Sequence, residues 1–145
     1  MKIDTSIGFV FLQIANSYRN DLEKKMNEIG LHYGQISVLS LLWEKDAQSQ
    51  IELSNALNLS QPTVNKMVKS LSQNNFVNCN QCQKDGRIMR VFLSQKGKEI
   101  ENLVLENAEL LQNNFFSSLT ETEQLIFKQL VEKLRDNFFP SKSIE

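Results

Sequence analysis

The stretch SQPTVNKMVKSLSQNNFVNCNQCQKDGRIMRVFL, residues 60–93, decides how this chain is read. It joins a helix with a polar outer face to a basic two-stranded ribbon. Ser60 is placed to act as an N-cap, its hydroxyl accepting from a free backbone N–H one turn in, and Pro62 falls in the first turn, where a missing N–H costs nothing. The helix is therefore expected to start at Gln61. At 100° per residue Val64, Met67, Val68 and Leu71 gather on one side, and Pro62, Asn65, Lys66 and Lys69 on the other. Asn75, a residue that tolerates the left-handed region, closes the helix near Asn74.

From Phe76 onward the period changes. Residues 76–81 and 88–93 are short runs rich in Val, Ile and Phe, and the six residues between them hold the turn dipeptide Asp85-Gly86. The pattern predicts a hairpin with a basic tip. In a regular second strand Met89, Val91 and Leu93 face inward and Ile88, Arg90 and Phe92 outward.

Charge supports a ligand for this region. Residues 61–90 carry Lys66, Lys69, Lys84, Arg87 and Arg90 against the single acid Asp85, a local sum of +4, in a chain whose net charge is −1. One face able to meet phosphate on an otherwise acidic body gives that split. At 145 residues, 41% apolar and 23% charged, the chain is expected to form a single domain, residues 1–145, with a core that needs no metal or disulfide. No run approaches the length of a membrane helix, and Asp4 and Thr5 interrupt what a secretory signal would keep apolar, so a cytoplasmic protein is expected, with no membrane partner.

Upstream, Ile3, Ile7, Phe11, Ile14, Tyr18, Leu22, Met26 and Ile29 recur at helical spacing. They predict one helix of about 40 Å, longer than a small domain needs, so part of its stripe should meet another subunit. Gly30 is a plausible stop, followed by a connector, residues 31–34. Residues 35–44 are apolar nearly all round and should be buried. Ser49-Gln50-Ile51-Glu52 matches the capping box S-x-x-E, starting a helix that runs to about Leu57. Only Asn58 and Leu59 separate it from Ser60, which makes the pair a helix-turn-helix. Downstream, Ser94 can cap a long helix with Ile100, Leu103, Val104, Ala108, Leu111 and Phe115 in its stripe and Gly97 as a weak point. Thr120 and Glu123 form a second capping box, opening a helix that turns Ile126, Phe127, Leu130, Val131, Leu134 and Phe138 inward and that Pro140 closes.

A helix-turn-helix followed at once by a ribbon is a winged helix. The expected fold class is mainly α: a DNA-binding part at about residues 35–94, with dimerisation helices at about 3–29 and 95–139. Three long amphipathic helices exceed what one copy can bury, and a symmetric homodimer is the economical solution.

The residues resemble the MarR-type winged-helix regulators over nearly the whole chain in element order. The resemblance is most specific at Leu59-Ser60-Gln61-Pro62-Thr63-Val64-Asn65-Lys66-Met67-Val68, which is similar to the family's recognition helix. It is equally so at Asp85-Gly86-Arg87 with Leu93-Ser94-Gln95-Lys96-Gly97, similar to its D-x-R wing and trailing L-[ST]-x-x-G. It implies a homodimer built from the terminal helices, binding a roughly palindromic operator in double-stranded DNA, usually as a repressor released by a small-molecule effector or by cysteine oxidation. Two departures stand out: Cys79 occupies a place that is commonly basic, and Asn75 replaces a usual glycine.

Candidate contacts follow. Gln61, Thr63 and Asn65 could read base edges, and Lys66 and Lys69 guanine or phosphate. Arg87 is the candidate for the minor groove or backbone, Asp85 for holding that arginine or the turn, Lys84 and Arg90 for phosphates. Ser49 and Gln50, with Ser60 and Pro62 at the next helix start, are candidates at helix N-termini. His32 and Tyr33 are candidates for an effector cleft. Cys79 and Cys82, spaced C-x-x-C, are candidates for a redox switch straining the first wing strand, against the alternative of two incidental thiols. Two thiols and one distant histidine fall short of a zinc set, and no metal or cofactor is expected. One histidine, no glycine-rich phosphate cradle and no H-E-x-x-H argue against an enzyme. The rival reading is a winged helix that binds protein and has no DNA affinity.

Overall fold

Side chains at helix ends set most of the boundaries. The computed structural model describes residues 2–139, as a 3-10 turn Ile3–Thr5, α1 Ile7–Asn27, α2 Tyr33–Glu44, β1 Gln48–Ser49, α3 Gln50–Leu57, α4 Gln61–Gln73, β2 Val77–Gln81, β3 Met89–Leu93, α5 Gln95–Phe115 and α6 Glu121–Phe138. These divide into two compact units, residues 1–109 and 110–145, the boundary falling within α5. Among the described residues no helix is long and apolar enough to cross a membrane.

In the first unit the expected N-terminal helix is broken. Ser6 is extended and its hydroxyl accepts the Phe9 N–H at 3.2 Å, so α1 starts afresh behind a 3-10 turn. Its C-terminus is the predicted one: Gly30 takes φ +78° and the Leu31 N–H returns to the Met26 carbonyl at 2.9 Å. The connector is shorter than expected. α2 begins at Tyr33 because Glu23 of α1 accepts the Tyr33 N–H at 2.7 Å and the Gln35 side chain accepts the His32 N–H at 2.9 Å, satisfying two otherwise orphaned donors.

The α2 helix supplies the centre of the core. Val38, Leu39 and Leu42 are buried with Met26, Leu31, Leu53, Val64, Val68, Leu71, Phe76, Val77, Val91 and Val104. Gln35 is buried among them and is satisfied by donating to the Ser70 hydroxyl at 2.7 Å. α3 carries the expected capping box, Glu52 N–H to Ser49 Oγ at 3.1 Å and Ser49 N–H to Glu52 Oε2 at 2.7 Å. Asn58 closes α3 at φ +54°, and Asn75 takes φ +61° behind α4, as its residue type suggested.

The ribbon has a third strand. β1 pairs antiparallel with β3, Gln48 opposite Val91 and Ser49 opposite Arg90, giving the order β1-β3-β2. Along β3 the alternation is partial: Val91 is buried and Leu93 half-buried, but Met89 is exposed, because it pairs with Gln81 at the end of the ladder, past the core. Gly86 has no positive φ, and the turn closes instead through the Ile88 N–H on the Asp85 carbonyl at 3.0 Å. Gly97 proves to be a packing requirement and no weak point. A Cβ there would lie 2.1 Å from the Phe76 carbonyl oxygen, and the Trp43 indole N–H donates to the Gly97 carbonyl at 2.8 Å.

In the second unit Thr120 and Glu123 form the expected capping box, the Thr120 N–H reaching Glu123 Oε2 at 2.8 Å. Among the described residues much of the stripe expected to face inward on α6 is exposed. Ile126, Leu130, Leu134 and Phe138 are 50–72% exposed. Pro140, expected to close this helix, lies outside the described residues.

Candidate nucleic-acid interface

α4 is two-faced. Val64, Val68 and Leu71 are buried, while Gln61, Pro62, Thr63, Asn65, Lys66 and Lys69 are exposed. Ser60 caps the helix, weakly to the Thr63 N–H at 3.4 Å and closely to the Thr63 hydroxyl at 2.8 Å, so Ser60 and Pro62 shape the helix start. Among the described residues neither Lys66, Lys69 nor Lys84 has an ion-pair partner. Their charge is left to the solvent side.

At the wing, Asp85 Oδ1 accepts the Arg87 backbone N–H at 3.1 Å and Nε at 3.2 Å, and Oδ2 accepts Nη2 at 3.3 Å. The arginine beside it, through its side chain first and its backbone N–H second, holds the Asp85 carboxyl below the usual carboxylate range. Arg87 is nevertheless 91% exposed. A fully presented guanidinium with its stem fixed is what a narrow groove or a phosphate pair can accept.

Two of the candidate residues have partners within the protein. Arg90 donates through Nη1 to the Ala47 carbonyl at 2.9 Å and to Glu52 Oε2 at 3.4 Å, so it is engaged by the protein. Ser49 is 8% exposed and paired in β1, its N–H donated to Glu52 Oε2 and its Oγ accepting the Glu52 N–H. Gln50 stands half-buried at the first position of α3. The Glu52–Arg90 pair and β1 were missed in the sequence. Glu52 and Arg90 lie 38 residues apart and the β1–β3 partners 41 and 43, and neither leaves a local signal.

His32 and Tyr33 are occupied at the α1–α2 junction. His32 Nδ1 lies 2.9 Å from Glu23 Oε1, and the Arg19 guanidinium sits 5.7 Å from the Tyr33 ring centroid. The two thiols are separated. Cys79 pairs with Val91 in the ladder and Cys82 continues it, its N–H on the Ile88 carbonyl at 2.7 Å, which places their Cα atoms roughly 10 Å apart on opposite faces. A disulfide spans at most about 7 Å, so the two cannot bridge without unzipping the strand. Their environments also differ: burial pushes the Cys79 thiol up, whereas the Arg90 side chain and the Asp85 and Lys84 N–H groups hold the Cys82 thiol down. Among the described residues no three metal-ligating side chains cluster.

A tight helix pair, an exposed polar helix face and a hairpin carrying an arginine make the first unit a winged helix-turn-helix. The family model described as the MarR family matches residues 31–89. The chain is 25% identical over 124 residues to the HTH-type transcriptional regulator SarZ of Staphylococcus epidermidis, covering 86% of this chain and 84% of that one. Its fold superposes on a probable transcriptional regulator from Pseudomonas aeruginosa with a TM-score of 0.85 at 23% identity, over 92% of this chain and 99% of the other. It also superposes on overoxidized AbfR bound to DNA with a TM-score of 0.70 at 26% identity, over 91% of each.

Proposed function

We propose that two copies of this chain grip a two-fold-related operator, α4 of each lying in the major groove and each wing reaching the flanking backbone or minor groove. The observation that carries the reading is the division of α4, one side sealed into the core and the other presenting Gln61, Thr63, Asn65, Lys66 and Lys69 with no acid against the lysines. The amides of Gln61 and Asn65 suit adenine, the lysines guanine or phosphate, and Arg87 with Lys84 the sugar-phosphate edges. The structure of AbfR bound to DNA supports this use of the fold. The uncovered apolar residues of α1 and of α6 support a second copy.

The regulatory sense we propose is repression by occupying the operator, with release by a small effector. Selection of bound sequences from a random duplex pool tests the core of the reading. The expected result is an inverted repeat with half-site centres about 10 bp apart or a multiple of that, and a slope of log K against log salt near −5 for about six phosphates. No binding to any duplex at low salt overturns it in favour of a protein-binding winged helix. Transcription from a template carrying the selected site then reports the sense of regulation.

A further inference from the structure

We propose that Arg90 is a positioning residue for DNA binding, one that ties the wing to the N-terminus of α3 and so fixes the reach from the wing tip to α4, without touching phosphate itself. The inference rests on the DNA-binding reading above.

Arg90 occupies the central strand of the sheet, opposite Ser49 of β1 on one side and Asn80 of β2 on the other. Its outward guanidinium turns back onto the protein, to the Ala47 carbonyl and Glu52 Oε2. Both acceptors are held firmly. Ala47 takes φ +61°, a conformation a β-carbon disfavours, and Asp46 Oδ1 steadies it by accepting the Ala47 N–H at 2.8 Å and the Leu93 N–H at 2.9 Å. Glu52 Oε2 is the same atom that accepts the Ser49 N–H in the α3 capping box. Just past β2, the Arg90 side chain holds the Cys82 thiol below its usual range.

The two ends of this chain of contacts are α4 and the wing, the two elements assigned to DNA above. α3 meets α4 through a tight turn closed by the Ser54 hydroxyl on the Leu59 carbonyl at 2.6 Å, and Arg87 lies three residues before Arg90 on the wing. β1 offers only two ladder pairs to hold a hairpin with five-residue strands. Arg90 adds a side-chain clamp at that narrow junction. Its pairing with Glu52 cancels most of its field toward a polyanion, and at 34% exposure it contrasts with Arg87.

The test compares wild type, Arg90→Met, Glu52→Gln, the double variant and Arg87→Ala, each against the selected operator and a random-sequence duplex over a range of salt. Glutamine serves at this position of a capping box, so Glu52→Gln keeps α3 capped, and thermal melts verify folding of every variant. Arg90→Met and Glu52→Gln are each expected to weaken operator binding by roughly three- to tenfold, to leave random-duplex binding nearly unchanged and to keep the salt slope. The double variant falls no further than Arg90→Met, while Arg87→Ala, which removes one contact from each of two copies, lowers the slope by about two. A direct phosphate contact gives the opposite pattern: Arg90→Met weakens both duplexes equally with a slope lower by about two, and Glu52→Gln, by removing a repelling charge, strengthens both. Either of those results overturns the assignment. Wild type that binds no duplex sinks the DNA-binding reading itself, a failure distinct from wild type that binds while Arg90→Met behaves as a lost contact.

Discussion

Asp85 and Arg87 clasp each other across one turn, the carboxylate holding both the backbone N–H and the guanidinium of a residue whose side chain is otherwise in open solvent. An exposed arginine ordinarily loses rotamer freedom when it binds, at about 0.5–1.5 kcal/mol for such a side chain. Here part of that ordering precedes the ligand. Asp85→Ala removes a negative charge from the wing tip, which Coulomb attraction to a polyanion alone would turn into tighter binding. The expected result is weaker operator binding, by about three- to tenfold, measured by fluorescence anisotropy at fixed salt. Tighter binding by Asp85→Ala would show that the carboxylate only repels.

Acid should loosen the junction of α1 with α2. The Tyr33 N–H and then His32 hold the Glu23 carboxyl below its ordinary value, and a carboxylate with a depressed folded pKa contributes stability above the unfolded value that is lost as pH falls through the folded one. Wild type is therefore expected to melt higher than Glu23→Gln at neutral pH. The two melting temperatures should converge as pH drops below about 4. Calorimetry at a series of pH values checks it, and a gap that does not narrow as pH falls contradicts it.

Where a boundary is written by its own side chains, the sequence carried it. Ser49 with Glu52, Ser60, Asn58, Asn75 and Gly30 each satisfy or permit local backbone geometry, and α3 and α4 fall where those residues place them. The Asp85-Arg87 clasp was legible for the same reason, its partners being two residues apart. What stayed hidden depends on distant partners. Gln48 and Ser49 are polar and only two residues long as a strand, and they become one by meeting Val91 and Arg90. Arg90 read as one more cation because nothing near it in the chain announces Glu52. The α6 stripe was read as inward from its period, and a period reports an apolar face without saying which chain covers it.

Gly97 should tolerate no side chain. The Phe76 carbonyl oxygen would lie 2.1 Å from a Cβ, and the helix backbone there is pinned by Trp43. Gly97→Ala gains helix propensity worth about 1 kcal/mol. Relieving the clash requires α5 and the β2 entry to separate, and overpacking of this kind costs about 1–3 kcal/mol or more. A net destabilisation, seen as a lower denaturant midpoint, is the expected outcome, and a variant as stable as wild type would mean that the approach relaxes freely.

The two cysteines should react independently. Cys82 has its thiol held down by the Arg90 side chain and turn N–H groups and is partly open, whereas burial raises Cys79. Alkylation at neutral pH is expected to label Cys82 first, with Arg90→Met slowing that reaction. Mass spectrometry of time points distinguishes the sites. Mild oxidation should give no Cys79–Cys82 disulfide, since strand geometry keeps the two apart, and a rapid loss of two mass units within one chain would contradict the ladder described for β2.

The apolar residues of α6 give the assembly a direct test. Leu130 and Leu134 are 57% and 56% exposed at helical spacing, on a helix whose N-terminus is capped by Thr120 and Glu123. Burying a leucine fully is worth about 1.5–3 kcal/mol, and in a two-fold assembly each substitution counts twice. Leu130→Glu is expected to weaken self-association by at least about a hundredfold, a tenfold change for every 1.4 kcal/mol, and to shift the sedimenting species to one chain at micromolar concentration. Operator affinity should fall with it, because a single α4 then meets a single half-site, while melting of the first unit stays near that of wild type. Wild type sedimenting as one chain at the same concentration would remove the second copy from the proposal and leave the α6 face to some other partner.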